Sequence, residues 1–322
     1  MIKSLSKRIA NAAALLLAVL VLNFTLIHIA PGDPVEVLVG EMGGATPEII
    51  AEIRASFGLD QPFHVQLGTY LGNILQGDLG HSFYYDKPVT SLILDRTGAT
   101  LLLVVTALVF ALFVGTALGI ASAQKRNSLL SNIVTIVSLA GFSAPVFWIG
   151  IMLILLFAVA IPILPVAGMA SADAPTGAFA YAFDVAQHLV LPVLTLASIY
   201  IAFYSRLARA SMLEVLESDY VRTARAKGLS RFLVIYKHAL RNAILPVVTF
   251  AGLQFAQVIS GAVLVETVFA WPGLGTLAFE SILRRDSPTL LGILFFSALL
   301  VLIVNIFVDI AYRLIDPRIS AK

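Results

Sequence analysis

The chain has 322 residues, of which 59% are hydrophobic and 12% are charged, with a net charge of +2 and no cysteine. Soluble domains carry about 25% charged residues, so half that fraction indicates lipid as the main solvent. The lack of cysteine excludes disulfides, thiol nucleophiles and thiolate metal sites.

Six apolar stretches are long enough to cross a bilayer as helices, because its hydrocarbon core needs about 20 residues. The first of them follows three positive charges, as the core of a signal peptide would. Its apolar run is too long for such a core, however, and no small-residue cleavage site follows it, so we expect it to be retained as a span. The six predicted spans lie near 9–29, 99–123, 132–160, 187–208, 243–266 and 289–312.

The distribution of positive charge predicts the orientation of these spans. An even number of spans places both termini on one side of the membrane. If that side is the cytoplasm, the cytoplasmic segments hold 16 of the 21 Lys and Arg residues. Cytoplasmic loops are enriched in Lys and Arg, so we expect both termini to be cytoplasmic.

Residues 30–98 form a large polar segment that we place outside the membrane, on the periplasmic side. Thr46 and Pro47 are typical of a helix start, and Gly58 is typical of a helix end. A second amphipathic helix follows, with Phe63 and Leu67 beginning a series of apolar residues at intervals of four. The segment is either a cap on the membrane domain or a docking surface for a protein that delivers substrate.

Several prolines and polar residues lie within the predicted spans. Proline removes a backbone donor and bends a helix, which membrane proteins tolerate where neighbours or a wet cavity satisfy the freed carbonyls. The bends indicate either a gated pathway or plain packing geometry. Asp309 is a candidate functional acid, although its place near the cytoplasmic end favours a solvated interfacial carboxylate. The pathway or gating candidates are Ser143, Pro145, Pro192, Pro246, Glu266 and Asp309.

The segment 205–243 is predicted to be a cytoplasmic helical hairpin. Ser218 is a candidate N-cap of a first short helix, with Asp219 at its positive end, and Lys227 with Gly228 closes it. Ser230 is a candidate N-cap of a second helix, which we expect to end near Arg241.

Each of these two helices has an apolar face, made by Tyr220, Val221 and Ala224 in the first and by Phe232, Tyr236, Ala239 and Leu240 in the second. An apolar face on a water-exposed loop must be covered. The hairpin can fold back on the inner ends of the spans, lie on anionic lipid, or dock on another protein.

The hairpin carries a family resemblance. Residues 220–230 read Tyr-Val-Arg-Thr-Ala-Arg-Ala-Lys-Gly-Leu-Ser and resemble the EAA loop of ABC importer permeases, in the form found in the oligopeptide/dipeptide/nickel branch. Gly228 and Leu240 fit the general pattern. His238 and Arg241 depart from it in the way this branch itself does.

Six further segments resemble motifs of the same branch, in the same order along the chain. The first of them resembles the first permease of the pair that such systems contain. The segments are 31–34, 58–62, 77–82, 266–275, 285–288 and 316–318.

The resemblance implies an all-α membrane protein with the type I ABC importer permease fold. It implies a first helix with a periplasmic loop (1–98), a five-helix transmembrane domain (99–312) and a cytoplasmic tail (313–322). It further implies a pore-forming subunit, itself not an enzyme, that imports peptides across the bacterial inner membrane. The implied partners are a second, homologous permease, two ATPases that bind ATP and Mg, a periplasmic or lipid-anchored binding protein, and membrane lipid; this chain is expected to bind no cofactor and no nucleic acid.

Residue roles follow from the same resemblance. The residues implied in ATPase coupling are Tyr220, Arg222, Thr223, Ala224, Arg225, Ala226, Lys227, Gly228, Leu229, His238 and Arg241, with small Ala224 and Ala226 expected to allow close approach of the ATPase. The periplasmic docking candidates are Asp33, Asp78, Trp271, Pro272, Arg285 and Asp286.

Other functions are poorly supported by the residues. The sequence has no P-loop pattern, and its five histidines are scattered without metal-ligand spacing. A secondary transporter would work without ATP, but neither inverted repeats nor buried ion-coupling charges are evident. Within the ABC importer interpretation, nickel chelates, glutathione and opines remain alternatives to peptides.

Overall fold

The computed structural model describes residues 2–30, 32–41, 44–124, 128–173 and 176–315, and it is helical almost throughout. The described part contains no named strand, only an isolated bridge between His81 and Pro88. Pro31, the Lys125-Arg126 pair and the predicted tail from residue 316 onward lie outside the described residues.

The chain divides into two compact units. The first comprises Met1–Gly98 and Gly273–Val304, and the second comprises Ala99–Pro272 and Asn305–Lys322. The helices, in chain order, are α1 (Ile2–Ile29), α2 (Pro34–Glu41), α3 (Pro47–Ser56), α4 (Phe63–Leu75), α5 (Val89–Gln124), α6 (Leu129–Ser143), α7 (Val146–Ile154, continued by a π-helical turn, Leu155–Ala160), α8 (Ala178–Leu216), α9 (Asp219–Ala226), α10 (Leu240–Val268, preceded by a π-helical turn, Leu233–Ala239), α11 (Leu274–Leu283) and α12 (Ser287–Ile315).

Four helices in the described part are long and apolar enough to cross a membrane. A bent pair, Leu233–Gly252 with Gln257–Val268, counts as a fifth span if its two parts are taken together. An all-helical membrane protein is therefore confirmed. The four long candidates are Asn11–Ile29, Val89–Gln124, Ala178–Leu216 and Ser287–Ile306.

The predicted third span, 132–160, is not one continuous helix. α6 ends at Ser143 and α7 begins at Val146, with Pro145 at the N-cap position of α7. Proline disfavours the helical conformation in the residue before it, which explains a break at Ala144. The other two prolines, Pro192 in α8 and Pro246 in α10, lie inside continuous helices.

Each unit has its own hydrophobic core. In the first unit, Val89 and Ile93 of α5 pack with Leu277 of α11 and Ile293 of α12. In the second unit, the main core joins α5, α8 and α10 and contains the fully buried Tyr204 and Trp271.

Close packing of α5 against α8 depends on two glycines four residues apart in α5. A Cβ atom at Gly115 would lie 2.9 Å from the carbonyl oxygen of Ile201, and one at Gly119 would lie 2.5 Å from that of Ser205. Real Cβ atoms do not approach a carbonyl oxygen so closely. The missing side chains let the two backbones meet, as small residues do in membrane helix pairs.

Candidate functional site: the hairpin between α8 and α10

The hairpin begins where α8 ends. Ser218 occupies the N-cap position of α9, as predicted, but its hydroxyl does not cap the helix. It donates instead to the carbonyl oxygen of Val215, at 2.6 Å, and so satisfies the last turn of α8. Asp219 lies in the first turn of α9, where a negative charge is favourable.

Gly228 makes the turn of the hairpin, as predicted. Its φ is +75°, in the left-handed region that glycine adopts without a steric cost. Its N–H donates to the carbonyl oxygen of Arg225 at 3.0 Å, and the N–H of Lys227 donates to that of Thr223 at 3.0 Å. A Cβ atom at position 228 would meet nothing within 4 Å, so the requirement for glycine is conformational.

The second helix of the hairpin does not end near Arg241. Ser230 caps its start, with the N–H of Leu233 donating to Oγ at 3.4 Å. The chain then passes through the π-helical turn directly into α10. No glycine or proline interrupts the sequence between Leu229 and Pro246, so the helix has no local reason to stop.

Part of the apolar face of the hairpin is covered by the chain itself. Val221 and Ala224 of α9 pack with Ala239 in a buried cluster that includes Met212 of α8 and Ile120 of α5. The hairpin thus folds back on the ends of α5 and α8. The expectation for Ala224 is corrected, because it is buried in this cluster, whereas Ala226 is exposed.

The predicted apolar face of the second helix is also corrected. Val234 and Ile235, together with Ala239, are the buried residues of the π-helical turn. The phenyl ring of Phe232 is 67% exposed and the ring of Tyr236 is 44% exposed, with their centroids 4.7 Å apart. An aromatic pair therefore remains on the outside of a hairpin whose base is already packed.

Charged and polar side chains are also exposed on the hairpin. Arg222 forms an exposed ion pair with Asp219, with 3.5 Å between Nη1 and Oδ1, and the hydroxyl of Tyr220 accepts a hydrogen bond from Nδ2 of Asn242 at 2.8 Å. His238 is half-buried. The other predicted coupling residues are exposed: Thr223, Arg225, Lys227, Gly228, Leu229 and Arg241. We call the exposed residues of 220–241 the hairpin surface.

The pathway candidates lie in different environments. Glu266 is fully buried, and its carboxylate accepts a hydrogen bond from Oγ1 of Thr100 at 2.6 Å. Pro192 is buried in α8, Pro246 is half-buried, and Ser143 and Pro145 are exposed beside the break between α6 and α7. The side chain of Asp309 lies outside the described residues.

Two of the periplasmic docking candidates are corrected by their burial. Trp271 is fully buried, and its indole N–H donates to the carbonyl oxygen of Ala99 at 2.8 Å. Asp286 is also fully buried. Neither side chain is available to a partner at the surface.

The remaining docking candidates are at least partly exposed. Asp33 forms an ion pair with Arg54 and accepts from the N–H of Val35 at 2.8 Å. Asp78 is exposed and accepts from the N–H of Gly80 at 2.8 Å. Arg285 and Pro272 are half-buried. Their docking role stays a prediction.

The structure also contains a hydrogen bond that the sequence analysis missed. The hydroxyl of Tyr85 donates to the carboxylate of Glu280 at 2.6 Å. Burial, followed by this hydrogen bond, raises the pKa of Tyr85 to about 12. No local signal could have found this pair, because its members are 195 positions apart in the chain.

Comparisons with known proteins agree with this architecture. The family described as "Binding-protein-dependent transport system inner membrane component" matches residues 115–321, and the family of the N-terminal part of such membrane components matches residues 1–104. This chain belongs to that family.

Curated relatives match this permease from end to end. The dipeptide transport system permease protein DppB of Escherichia coli strain K12 is 39% identical, over 100% of both chains. The di/tripeptide transport system permease protein DppB of Pseudomonas aeruginosa is 41% identical over 99% of both. The dipeptide permease DppB of Alkalihalophilus pseudofirmus is 38% identical over 98% of both. The predicted membership of the oligopeptide/dipeptide branch of ABC importer permeases is confirmed.

A solved structure shares the fold. The inward-facing MetNI methionine ABC transporter matches with a TM-score of 0.56 and 15% identity, covering 70% of this chain and 97% of that chain. This likeness shows the type I importer fold alone.

No group of three or more His, Asp or Glu side chains among the described residues is arranged to hold a metal ion. The expectation that this permease binds no cofactor of its own remains a prediction.

Proposed function

We propose that this chain is one of two permease subunits of an ATP-driven peptide importer in the bacterial inner membrane. The observation that supports a peptide substrate is the similarity over the whole length to three permeases named for dipeptides or di/tripeptides. Nickel chelates, glutathione and opines are the alternative cargoes that a substrate screen has to test.

In this proposal the subunit crosses the membrane six times, with both termini in the cytoplasm. The interrupted segment of α6 and α7 serves as one span, and the bent segment 233–268 serves as another. Sixteen of the 21 Lys and Arg residues then lie on the cytoplasmic side, in keeping with the usual bias of inner-membrane proteins.

The hairpin surface is the docking site for an ATPase. Its base packs on the chain's own helices, while Phe232 and Tyr236 stay exposed on a hairpin that also carries the exposed Arg225, Lys227 and Arg241. Aromatic residues and arginine are the types most enriched where protein interfaces derive their binding energy. A second, homologous permease, two ATPases that hold ATP and Mg, and a binding protein outside the membrane complete the system, and this chain catalyses no reaction itself.

The mechanism is a change of conformation transmitted through a rigid hairpin. Closure of the two ATPases on ATP moves the hairpins of the two permeases together, and the pathway between the permeases opens outward. The second helix of the hairpin, which starts after Ser230, continues into α10 without a break. A displacement of the hairpin therefore moves α10 as well.

A substitution in the left-handed turn at Gly228 tests whether the hairpin couples ATP hydrolysis to peptide uptake. Gly228→Val forces a β-branched residue into the left-handed region, at a cost of about 1–2 kcal/mol or more. We expect peptide uptake by the reconstituted transporter to fall roughly tenfold while ATP hydrolysis persists. Gly228→Asn is the matched control, because asparagine tolerates this conformation, and it should keep most of the uptake.

Normal peptide uptake by Gly228→Val, at normal membrane levels, would contradict coupling through this turn. Uptake that survives removal of ATP but not of an ion gradient would instead indicate a secondary transporter. A complex that couples ATP to uptake, but takes up a nickel chelate, glutathione or an opine and not peptides, would overturn the peptide assignment.

A further inference from the structure

A cavity of about 780 Å³ lies within the first unit. Its walls come from the last turns of α1, from α3 and α4, from residues 78–83 and from the start of α12. Cavities of this size hold small organic ligands.

Much of the wall is aromatic. The ring of Phe24 stacks on His28, with centroids 4.7 Å apart, and on Tyr70, with centroids 5.3 Å apart. The rings of Phe57 and Phe83, also on the lining, are 4.2 Å apart. Such a lining favours an apolar body in the ligand.

The cavity also contains a positive charge that has no counter-ion among the described residues. The half-buried Arg285 has no hydrogen bond or ion pair from its guanidinium to any side chain that the structure describes. Its guanidinium lies over Gly32, where a Cβ atom would be 3.0 Å from Cζ. Arg54, by contrast, is already paired with Asp33.

Position 285 is conformationally unusual as well as charged. Its backbone is left-handed, with a φ of +54°, which a side-chain-bearing residue adopts at a cost. Backbone strain of this kind persists only where the surrounding structure enforces the conformation, and it is concentrated at ligand-binding and active sites.

The hydroxyl of Tyr70 is a second unsatisfied polar group on the lining. It is buried and has no hydrogen-bond partner among the described residues. Burial raises the pKa of Tyr70 to about 12, so the hydroxyl is protonated and able to donate at neutral pH.

Two acidic side chains, Asp33 and Asp78, also lie on the lining. Asp33 is paired with Arg54, and Asp78 accepts from the N–H of Gly80. A ligand with one negative group and an apolar body matches Arg285, which has no counter-ion among the described residues, and the aromatic rings of the wall.

The cavity lies at the ends of two candidate spans, and this position indicates that its ligand comes from the membrane. Phe24, Ile27 and His28 lie in the last two turns of the candidate span Asn11–Ile29, and Ser287, Leu290 and Leu291 lie in the first turn or so of the candidate span Ser287–Ile306. In the proposed topology these turns are where the spans leave the hydrocarbon, at the depth of lipid headgroups.

We propose that this cavity binds one anionic phospholipid, with its phosphate at Arg285 and Tyr70 and an acyl chain against the wall that contains Phe24 and Ile27. A guanidinium and a phosphate form strong, bidentate hydrogen bonds, which would satisfy Arg285, the lining arginine that has no partner for its guanidinium among the described side chains.

The test uses the intact transporter, purified in detergent, stripped of lipid and then supplied with phosphatidylglycerol or with zwitterionic phosphatidylcholine. Native mass spectrometry counts the lipids retained. We expect the wild type to retain one phosphatidylglycerol in preference to phosphatidylcholine, and Arg285→Gln to bind it roughly tenfold more weakly. Arg284→Gln is the matched control, because it removes the neighbouring charge, which does not line the cavity, and it should match the wild type.

Tyr70→Phe is a second variant that removes only a buried hydroxyl without a described partner, so it should fold and bind phosphatidylglycerol roughly threefold more weakly. Retention by Arg285→Gln equal to that of the wild type would overturn the proposal. If Arg285→Gln does not assemble, equal retention by Tyr70→Phe overturns it in the same way.

Two competitors distinguish other ligands. Inorganic phosphate that displaces the lipid at equal concentration would show a site for a free anion, and a dipeptide that displaces it would show a site for substrate; either result overturns the lipid assignment. The lipid count is measured without transport, so the proposal can fail or stand whatever cargo the importer carries.

Discussion

Asp286 is a buried carboxylate that joins residues 82 and 83 to the first turn of α12. It accepts a hydrogen bond from the hydroxyl of Ser82, from the N–H of Phe83 at 3.1 Å and from Oγ1 of Thr289 at 2.7 Å. Without this carboxylate the donors could not hydrogen-bond to water instead, because Asp286, Ser82 and Thr289 are all buried.

Asp286→Ala should therefore be strongly destabilising. A hydrogen bond to a charged group contributes about 1.5–3 kcal/mol, and several donors would lose their acceptor at once, so we expect a loss of roughly 3–5 kcal/mol in the free energy of unfolding. Thermal unfolding in detergent measures the loss. Asp78→Ala, at an exposed site with one hydrogen bond to the N–H of Gly80, is the control and should cost about 1 kcal/mol or less; equal stability of the two variants would contradict the structural role of Asp286.

The raised pKa of Tyr85 predicts how the stability of the folded protein changes with pH in the alkaline range. Its pKa is raised to about 12 in the folded protein, whereas a tyrosine in an unfolded chain ionises near pH 10. Below pH 10 the group is protonated in both states and its contribution is complete. Between about pH 10 and 12 only the unfolded state ionises, so stability falls as the pH rises. Melting temperatures of the wild type and Tyr85→Phe, compared across this range, should show a steeper decline for the wild type; parallel curves would exclude the effect.

At the scale of elements, the contact between α5 and α8 is set by glycine. Gly119→Ala places a Cβ atom 2.5 Å from the carbonyl oxygen of Ser205 and 2.7 Å from Cβ of Ala208. The helices must move apart, which costs roughly 1–3 kcal/mol. Gly98→Ala, also in α5 but with nothing within 4 Å, should be neutral or stabilising by about 0.5–1 kcal/mol. Thermal unfolding of both variants tests this contact, and an equally mild effect at the two positions would show that the helices do not meet as closely as described.

Local elements were largely predictable from the sequence because their signals are local. Gly228 at the turn and Ser230 at the cap act within a few residues of themselves. Ser218 shows the limit of such signals, since its hydroxyl can bond backward to Val215 or forward to α9, and the sequence does not decide between them.

Interactions between distant segments were not predictable in this way. The acceptor of Ser82 is 204 positions away, and the acceptor of the Trp271 indole is 172 positions away. Asp286 and Trp271 were therefore predicted as docking candidates at the surface, although both are buried. The helix from Ser230 into α10 was predicted too short, although no glycine or proline between Leu229 and Pro246 would end it.

At the scale of the whole molecule, the orientation in the membrane rests on the distribution of charge. The outer segments of the proposed topology hold five of the 21 Lys and Arg residues. Acidic residues contribute little to this bias, so the near balance of the total charge does not weaken it. In the proposed topology the same bias puts the hairpin surface in the cytoplasm, where ATP is available to a partner.

The absence of cysteine allows a direct test of this orientation, because any thiol introduced is the only one in the chain. Asp60→Cys and Lys227→Cys both alter exposed positions, one in the predicted outer segment and one in the hairpin. In intact spheroplasts, a membrane-impermeant maleimide should label Asp60→Cys and leave Lys227→Cys unlabelled until the membrane is opened by detergent. The wild type, which has no thiol, reports the background. Labelling of Lys227→Cys in intact spheroplasts would reverse the topology and remove the hairpin from the side where an ATPase can bind it.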